Sequence, residues 1–149
     1  MGTALAYVID SRLDKCIESD TLMAKHILIV DDNGHLRRIL AMFLQSRGYT
    51  TSEAASGHEA IETAIALKPN LILLDLTLPD MKGTDAARAL KTYPSTARIP
   101  IVGCSAYFGS ELRQEALRAG MADYLQKPVS AAGIEAVVER LILSENAPI

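Results

Sequence analysis

Cysteine is scarce in this chain: Cys16 and Cys104 are the only two. Two thiols so far apart make no disulfide framework, and no Cys-x-x-Cys pair or Cys/His cluster offers a ligand set for structural zinc. A reducing, cytoplasmic setting is the expectation. An excess of basic residues is also missing. The net charge is −3, and no run of like charges occurs. Phosphate neutralisation needs clustered Lys and Arg, so direct nucleic-acid binding is not expected. Long apolar runs are absent too; the longest fall far short of the roughly 20 residues of a membrane span, so no membrane partner is expected. The run Ala4 to Ile9 meets charges at Asp10, Arg12, Asp14 and Lys15. It is too short for a signal-peptide core, and no cleavage-like site follows.

What remains is an ordinary balance, 49% apolar and 22% charged over 149 residues. That suits one domain with a sizeable core. From Lys25 onward, strand-like and helix-like segments alternate. Ile27 to Val30 is a continuous apolar run ending at Asp31-Asp32, as in strands buried on both faces. Leu36, Ile39, Leu40, Phe43 and Leu44 then recur at helical spacing, and Gly48 offers a stop. Tyr49 to Ala54 is a weaker strand. Ser56-Gly57-His58-Glu59 reads as a capping box for a helix whose apolar face carries Ile61, Ala64 and Ile65, ended by Pro69. Leu71 to Leu74, closing on Asp75, is the clearest strand. After a loop with Pro79 and Gly83, a helix runs from about Thr84 to Leu90. A fourth strand begins at Ile99 to Val102 and leads into Cys104-Ser105, with Pro100 suited to its start. Ser110 is placed to cap a helix carrying Leu112, Ala116 and Leu117, stopped by Gly120. Ala122 to Leu125 forms a fifth strand, Lys127-Pro128 breaks the chain, and a last helix buries Ile134, Val137, Val138, Leu141 and Ile142.

Strand–helix repeated five times predicts an α/β fold, a parallel sheet with helices on both faces. Such sheets bind ligands outside the carboxyl ends of their strands. Asp31 and Asp32 follow the first strand, Asp75 ends the third, Ser105 the fourth, and Lys127 follows the fifth. Taken singly, each is ordinary: an Asp after a strand is more often a turn former, a Ser a loop hydroxyl, a Lys a surface charge. Their joint placement on one sheet edge outweighs that reading. Crowded carboxylates need a cation, and all-oxygen ligands favour a hard one such as Mg²⁺. A carboxylate is also a competent nucleophile for phosphorus, and phosphoryl transfer needs mainly positioning and charge stabilisation. Asp75 is the natural nucleophile. Asp31 and Asp32 then hold the metal, while Ser105 and Lys127 face the phosphoryl oxygens.

These residues bring the chain to a resemblance. Ile27-Leu28-Ile29-Val30-Asp31-Asp32-Asn33, then Leu73 to Gly83, Ile101 to Ala106 and Ala119 to Pro128 resemble the receiver domains of two-component response regulators, over roughly Ala24 to Leu143. The resemblance implies a flavodoxin-like (βα)5 sandwich with a parallel five-stranded sheet of order 2-1-3-4-5, the order the chemotaxis member of that family exemplifies. It implies phosphorylation on Asp75 and Mg²⁺, or Mn²⁺, held by Asp31, Asp32, Asp75 and the Thr77 backbone carbonyl. It makes Ser105 the switch hydroxyl, Lys127 the paired lysine, Tyr124 the aromatic switch, and Lys127-Pro128 a cis peptide. A sensor histidine kinase or histidine phosphotransfer protein would donate the phosphoryl group. An unidentified downstream protein would read the face of the fourth helix, fifth strand and fifth helix, which could also serve a homodimer. The chain would be a signalling receiver rather than an enzyme, catalysing only its own phosphoryl transfer and dephosphorylation.

Two features depart from the pattern. Ser105 follows Cys104 rather than an aliphatic residue, and Cys104 reads as a small buried apolar side chain. Thr77 and Tyr107, each two residues beyond a site residue, offer no amide or carboxylate to orient a water, so slow self-dephosphorylation is expected. Against the relay stand two other readings: a docking module that no longer uses phosphate, which the intact acid set disfavours, and a Mg²⁺-dependent aspartyl phosphatase, which would want an Asp where Thr77 stands. His26, His35 and His58 read as surface or strand-edge residues. Domain limits are drawn at 24–143, with a disordered or irregular extension over 1–23 and a polar tail over 144–149.

Overall fold

The computed structural model describes residues 25–107 and 109–145. The expectations drawn for residues 1–23 and for Cys16 lie outside them. Strand β1 (His26–Val30) alternates its side chains between two cores: Ile27 and Ile29 face one, Leu28 and Val30 the other. Strand β3 (Leu71–Asp75) does the same with Leu71 and Leu73 against Ile72 and Leu74. This is why both runs are continuously apolar: side chains alternate faces, and both faces are covered. Each such Leu or Ile contributes on the order of 1.5–3 kcal/mol by burial.

Helices α1 (Gly34–Ser46) and α5 (Ala131–Glu145) cover one face, contributing Ala41, Leu44, Ile134 and Val138. Helices α2 (Gly57–Leu67), α3 (Gly83–Thr92) and α4 (Ser110–Arg118) cover the other. There the contacts use small residues, Ala60 and Ala64 on α2 and Ala86 and Ala87 on α3, all fully buried. Strands β2 (Thr50–Ala54), β4 (Ile101–Ser105) and β5 (Asp123–Gln126) complete an all-parallel sheet in the order β2-β1-β3-β4-β5. The α/β class and the 2-1-3-4-5 order both match expectation. Because the chain leaves β1 outward to β2 and then returns to β3, a crevice opens at the carboxyl ends of β1 and β3.

Several local details differ from the sequence reading. Ser110 does not cap α4; Gly109 holds the cap position without a side-chain bond, and Ser110 is the first helical residue. Ser56 accepts from the Glu59 N–H at 3.1 Å as expected, but the Glu59 carboxylate accepts from Ala55 N–H at 2.8 Å rather than from the cap residue. Leu117 and Ile65 lie toward solvent, 45% and 36% exposed, because their helices meet the core through Ala116, and through Ala60 and Ala64. The last helix runs to Glu145. Among the described residues no helix is long and apolar enough to cross a membrane.

Candidate active site

Register brings the acids together. Val30 pairs with Leu74, so Asp31 lies level with Asp75 on the neighbouring strand. Asp75 pairs with Cys104, placing Ser105 one step beyond it, and Ser105 pairs with Gln126, placing Lys127 one step further. Asp31 and Asp75 are buried, 4% and 6% exposed, and Asp32 is open to solvent. Oxygens of the three carboxylates lie within 4.8 Å of one another. The Lys127 Nζ sits 2.7 Å from Asp31 Oδ2 and 3.4 Å from Asp75 Oδ2. The peptide joining Lys127 to Pro128 is cis.

The backbone fixes each of these side chains. Asn33 N–H donates to Asp31 Oδ1 at 2.9 Å and Thr77 N–H donates to Asp75 Oδ1 at 3.1 Å. The Lys127 N–H donates to the Ser105 carbonyl at 2.8 Å. Gly83 lies so close to β3 that a Cβ there would stand 2.4 Å from the Asp75 carbonyl oxygen. The loop leaving Asp75 therefore returns tightly upon it.

Burial pushes the Asp75 carboxyl above its ordinary range; the Thr77 N–H pulls it down, the Asp31 charge pushes it up, and Lys127 opposes. Burial works against the Lys127 ammonium, but its hydrogen bond to Asp31 and the two carboxylate charges outweigh this and hold it above normal. Burial pushes the Cys104 thiol up to about 12, so it stays a protonated, inert wall of the site, as the sequence suggested.

Three carboxylates against one ammonium leave the cluster short of positive charge. Their spacing approaches the roughly 4.2 Å that separates opposite ligands of an octahedral ion with bonds near 2.1 Å. The donors are all oxygen, and the exposed Asp32 leaves one side open to water. A hard divalent cation fits this set, with Asp31, Asp32 and Asp75 as its carboxylates.

Ser105 is buried, and its Oγ accepts from the Tyr107 N–H at 3.0 Å. The Tyr124 hydroxyl donates to the Tyr107 carbonyl, and its ring is buried. Tyr107 thus links Ser105 to Tyr124 through one residue. A groove of about 520 Å³ runs past Thr77, Met81, Thr84, Ser105 and Tyr107.

Sequence reasoning missed two residues. Arg37, on α1, donates from Nη1 to the Asp31 carbonyl at 2.6 Å and from Nε to Glu53 at 3.1 Å, bracing the acid pair from outside. Asp80 anchors the loop after Asp75 to α2. Arg37 could have been suspected from a cation one helical turn past the acids; nothing local announces Asp80. Among the histidines, His35 is exposed, His26 is half-buried in β1, and His58 is exposed with its ring against Asp80.

The family model described as the response regulator receiver domain matches residues 27–139. The chain is 36% identical over 107 residues to the chemotaxis protein CheY of Thermotoga maritima, covering 71% of this chain and 88% of that one. It is 37% identical over 123 residues to the phosphate regulon transcriptional regulatory protein PhoB of Pseudomonas aeruginosa, covering 80% of this chain and 54% of the regulator. The chain thus spans most of the chemotaxis protein and about half the length of the transcriptional regulator. Among solved structures, it superposes on the receiver domain of a Pseudomonas aeruginosa sensor histidine kinase with a TM-score of 0.74 at 32% identity, covering 80% of this chain and 98% of that one. That crystal structure holds a magnesium ion in its active-site cleft. A two-component response regulator from Clostridium difficile superposes with a TM-score of 0.78 at 28% identity, covering 83% and 99% of the two chains.

Proposed function

The chain belongs to the response regulator receiver family, and on that premise we propose that it takes a phosphoryl group on Asp75. Its role as a receiver in two-component signalling follows from that membership; the residue assignments are our own reading. The observation that carries it is the buried Asp75 carboxylate, within 4.8 Å of the Asp31 and Asp32 oxygens and 3.4 Å from the Lys127 ammonium.

Asp75 Oδ attacks phosphorus in line, forming an acyl phosphate as the P–N bond of a phosphohistidine breaks, and the imidazole leaves neutral with a proton taken from solvent. The Lys127 ammonium, already shared between Asp31 and Asp75, shifts toward the arriving phosphoryl oxygens. Asp31, Asp32, Asp75 and the Thr77 carbonyl would hold Mg²⁺, or Mn²⁺, which would supply positive charge for the remaining phosphoryl oxygens. Ser105 offers a hydroxyl to the phosphoryl group once it releases the Tyr107 N–H. The Tyr124 ring already lies buried with its hydroxyl on the Tyr107 carbonyl, and the phosphoryl group favours the state in which Ser105 and Tyr124 are both turned inward. Phosphorylation thus shifts the population of the α4–β5–α5 face.

Response regulators receive phosphoryl groups from histidine kinases, and we assign the donor here to such a kinase or to a histidine phosphotransfer protein. The reader of the α4–β5–α5 face is a downstream protein or a second copy of the chain, in the cytoplasm. Catalysis is limited to the chain's own phosphoryl transfer and loss.

Labelling with acetyl phosphate and Mg²⁺ tests the reading. One phosphoryl group per chain is expected in wild type and none in Asp75→Ala. Label persisting in Asp75→Ala would remove the site assignment, and no label in wild type would remove the function.

A further inference from the structure

Asp80 lies five residues past Asp75, on the loop between β3 and α3, and its side chain turns away from the acid cluster. Its Oδ1 accepts from the Gly57 N–H at 2.8 Å and its Oδ2 from the His58 N–H at 2.9 Å. The His58 Nδ1 stands 2.6 Å from the same Oδ2. Gly57 and His58 open α2, whose next N–H, of Glu59, goes to the Ser56 hydroxyl. The first-turn donors that a helix leaves unpaired are therefore shared between a local cap and a carboxylate 23 residues away in sequence. Helix amides and the positive end of the helix dipole hold Asp80 ionised, well below the ordinary carboxylate range.

A second contact seats the same loop. Met81 lies over Gly57 so closely that a Cβ on Gly57 would stand 2.4 Å from Met81 Cγ. At its other end the loop closes by pairing Thr77 with Lys82, and by the bond from the Gly83 N–H to the Leu76 carbonyl at 2.9 Å. The segment from Leu76 to Lys82 is thus clamped at two places, across its own base and on the start of α2. Thr77 belongs to the first clamp, and its N–H holds Asp75 Oδ1.

We propose that Asp80 is a positioning residue for the phosphoacceptor site: by tying the loop to the α2 amino terminus it fixes the Thr77 peptide, and so both the Asp75 carboxylate and the carbonyl offered to Mg²⁺. This rests on the phosphoacceptor reading of Asp75. The carboxylate suits the task because its charge is spent on the helix end and does not add to the acid cluster. The ring of His58 is an accessory, since the backbone amides make the tether.

The test separates positioning from helix capping. Ser56→Ala uncaps the same helix end without touching the loop, and Asp80→Ala frees the loop. Mg²⁺ affinity is measured by calorimetry, amide exchange by NMR, and phosphoryl uptake from acetyl phosphate. Asp80→Ala is expected to weaken Mg²⁺ binding by about tenfold, the low end for residues that orient metal ligands, to slow uptake in proportion, and to speed exchange of the Thr77 amide. Ser56→Ala is expected to lower the melting temperature and leave Mg²⁺ affinity and Thr77 exchange as in wild type, and His58→Ala to leave Mg²⁺ affinity unchanged. Asp80→Asn, isosteric and keeping one acceptor, is expected to fall between wild type and Asp80→Ala, and it serves if the alanine variant does not fold. Wild-type Mg²⁺ affinity in both Asp80 variants, in a chain that does take up phosphoryl groups, overturns the tether alone. An equal loss in Ser56→Ala reduces Asp80 to a cap. No uptake by wild type removes the functional reading itself.

Discussion

The surroundings of Asp75 favour its protonated form. Burial and the Asp31 charge raise its proton affinity by more than the Thr77 N–H and Lys127 lower it. A carboxyl whose folded value lies above its unfolded value, near 3.8, favours the fold when protonated and burdens it when ionised, so the burden is complete above the folded value and gone below the unfolded one. Asp75→Asn keeps the shape and removes the charge. In metal-free buffer at pH 7 it is expected to melt a few degrees above wild type, the usual sign of an active-site residue that trades stability for chemistry. The gain is expected to shrink as pH falls through the raised folded value and to be gone below the unfolded value near 3.8. A lower melting temperature for the variant at pH 7 would contradict this account. Which residues meet at the sheet edge was readable at this scale, because an Asp, Ser or Lys at a strand's carboxyl end is visible in the sequence. Arg37 and Asp80 were not: their partners, Glu53 and the Gly57 and His58 amides, lie on other elements.

At the scale of elements, β2 was the least legible. Its sequence Thr50-Thr51-Ser52-Glu53-Ala54 has little apolar alternation, and it becomes an edge strand by pairing with β1, His26 against Thr50. The pairing is reinforced by side chains: the His26 ring lies 2.6 Å from the Thr50 hydroxyl and 2.7 Å from that of Ser52. Burial lowers the His26 proton affinity below its ordinary 6.5. The unfolded chain then binds the proton more readily than the folded one, so stability contributed by neutral His26 falls as pH drops through that value. Urea midpoints at pH 7.5 and pH 5 are expected to differ more in wild type than in His26→Gln. Equal differences would show that the ring carries no pH dependence. Buried strands and long amphipathic helices were legible because burial on both faces, or on one stripe, writes itself into composition. The start of α4 was not, since Ser110 resembles a cap and only the backbone path after β4 places it inside the helix.

The molecule as a whole sets how long a phosphoryl group would last. Thr77 and Tyr107 line the same groove as Ser105, and the Thr77 N–H bonds Asp75. Neither carries an amide or carboxylate to orient an attacking water, and the Tyr107 ring is bulky. The labelled, isolated chain is expected to hold its phosphoryl group for minutes or longer at neutral pH with Mg²⁺, and Thr77→Asn to shorten that time. Decay of wild type within seconds would overturn the expectation.

By itself the sequence determined the alternation of elements, the double burial of β1 and β3, and the residue types waiting at the strand ends. Hydrophobic period and turn chemistry are local properties, and they are written along the chain. The tertiary structure decided which of those ends meet. It set the Lys127 ammonium on Asp31 across 96 residues, turned Tyr124 inward onto the Tyr107 carbonyl, and seated Asp80 on the start of α2. Those contacts depend on strand register, on the crossing of helices over the sheet, and on loops that must satisfy their polar groups wherever the fold has carried them.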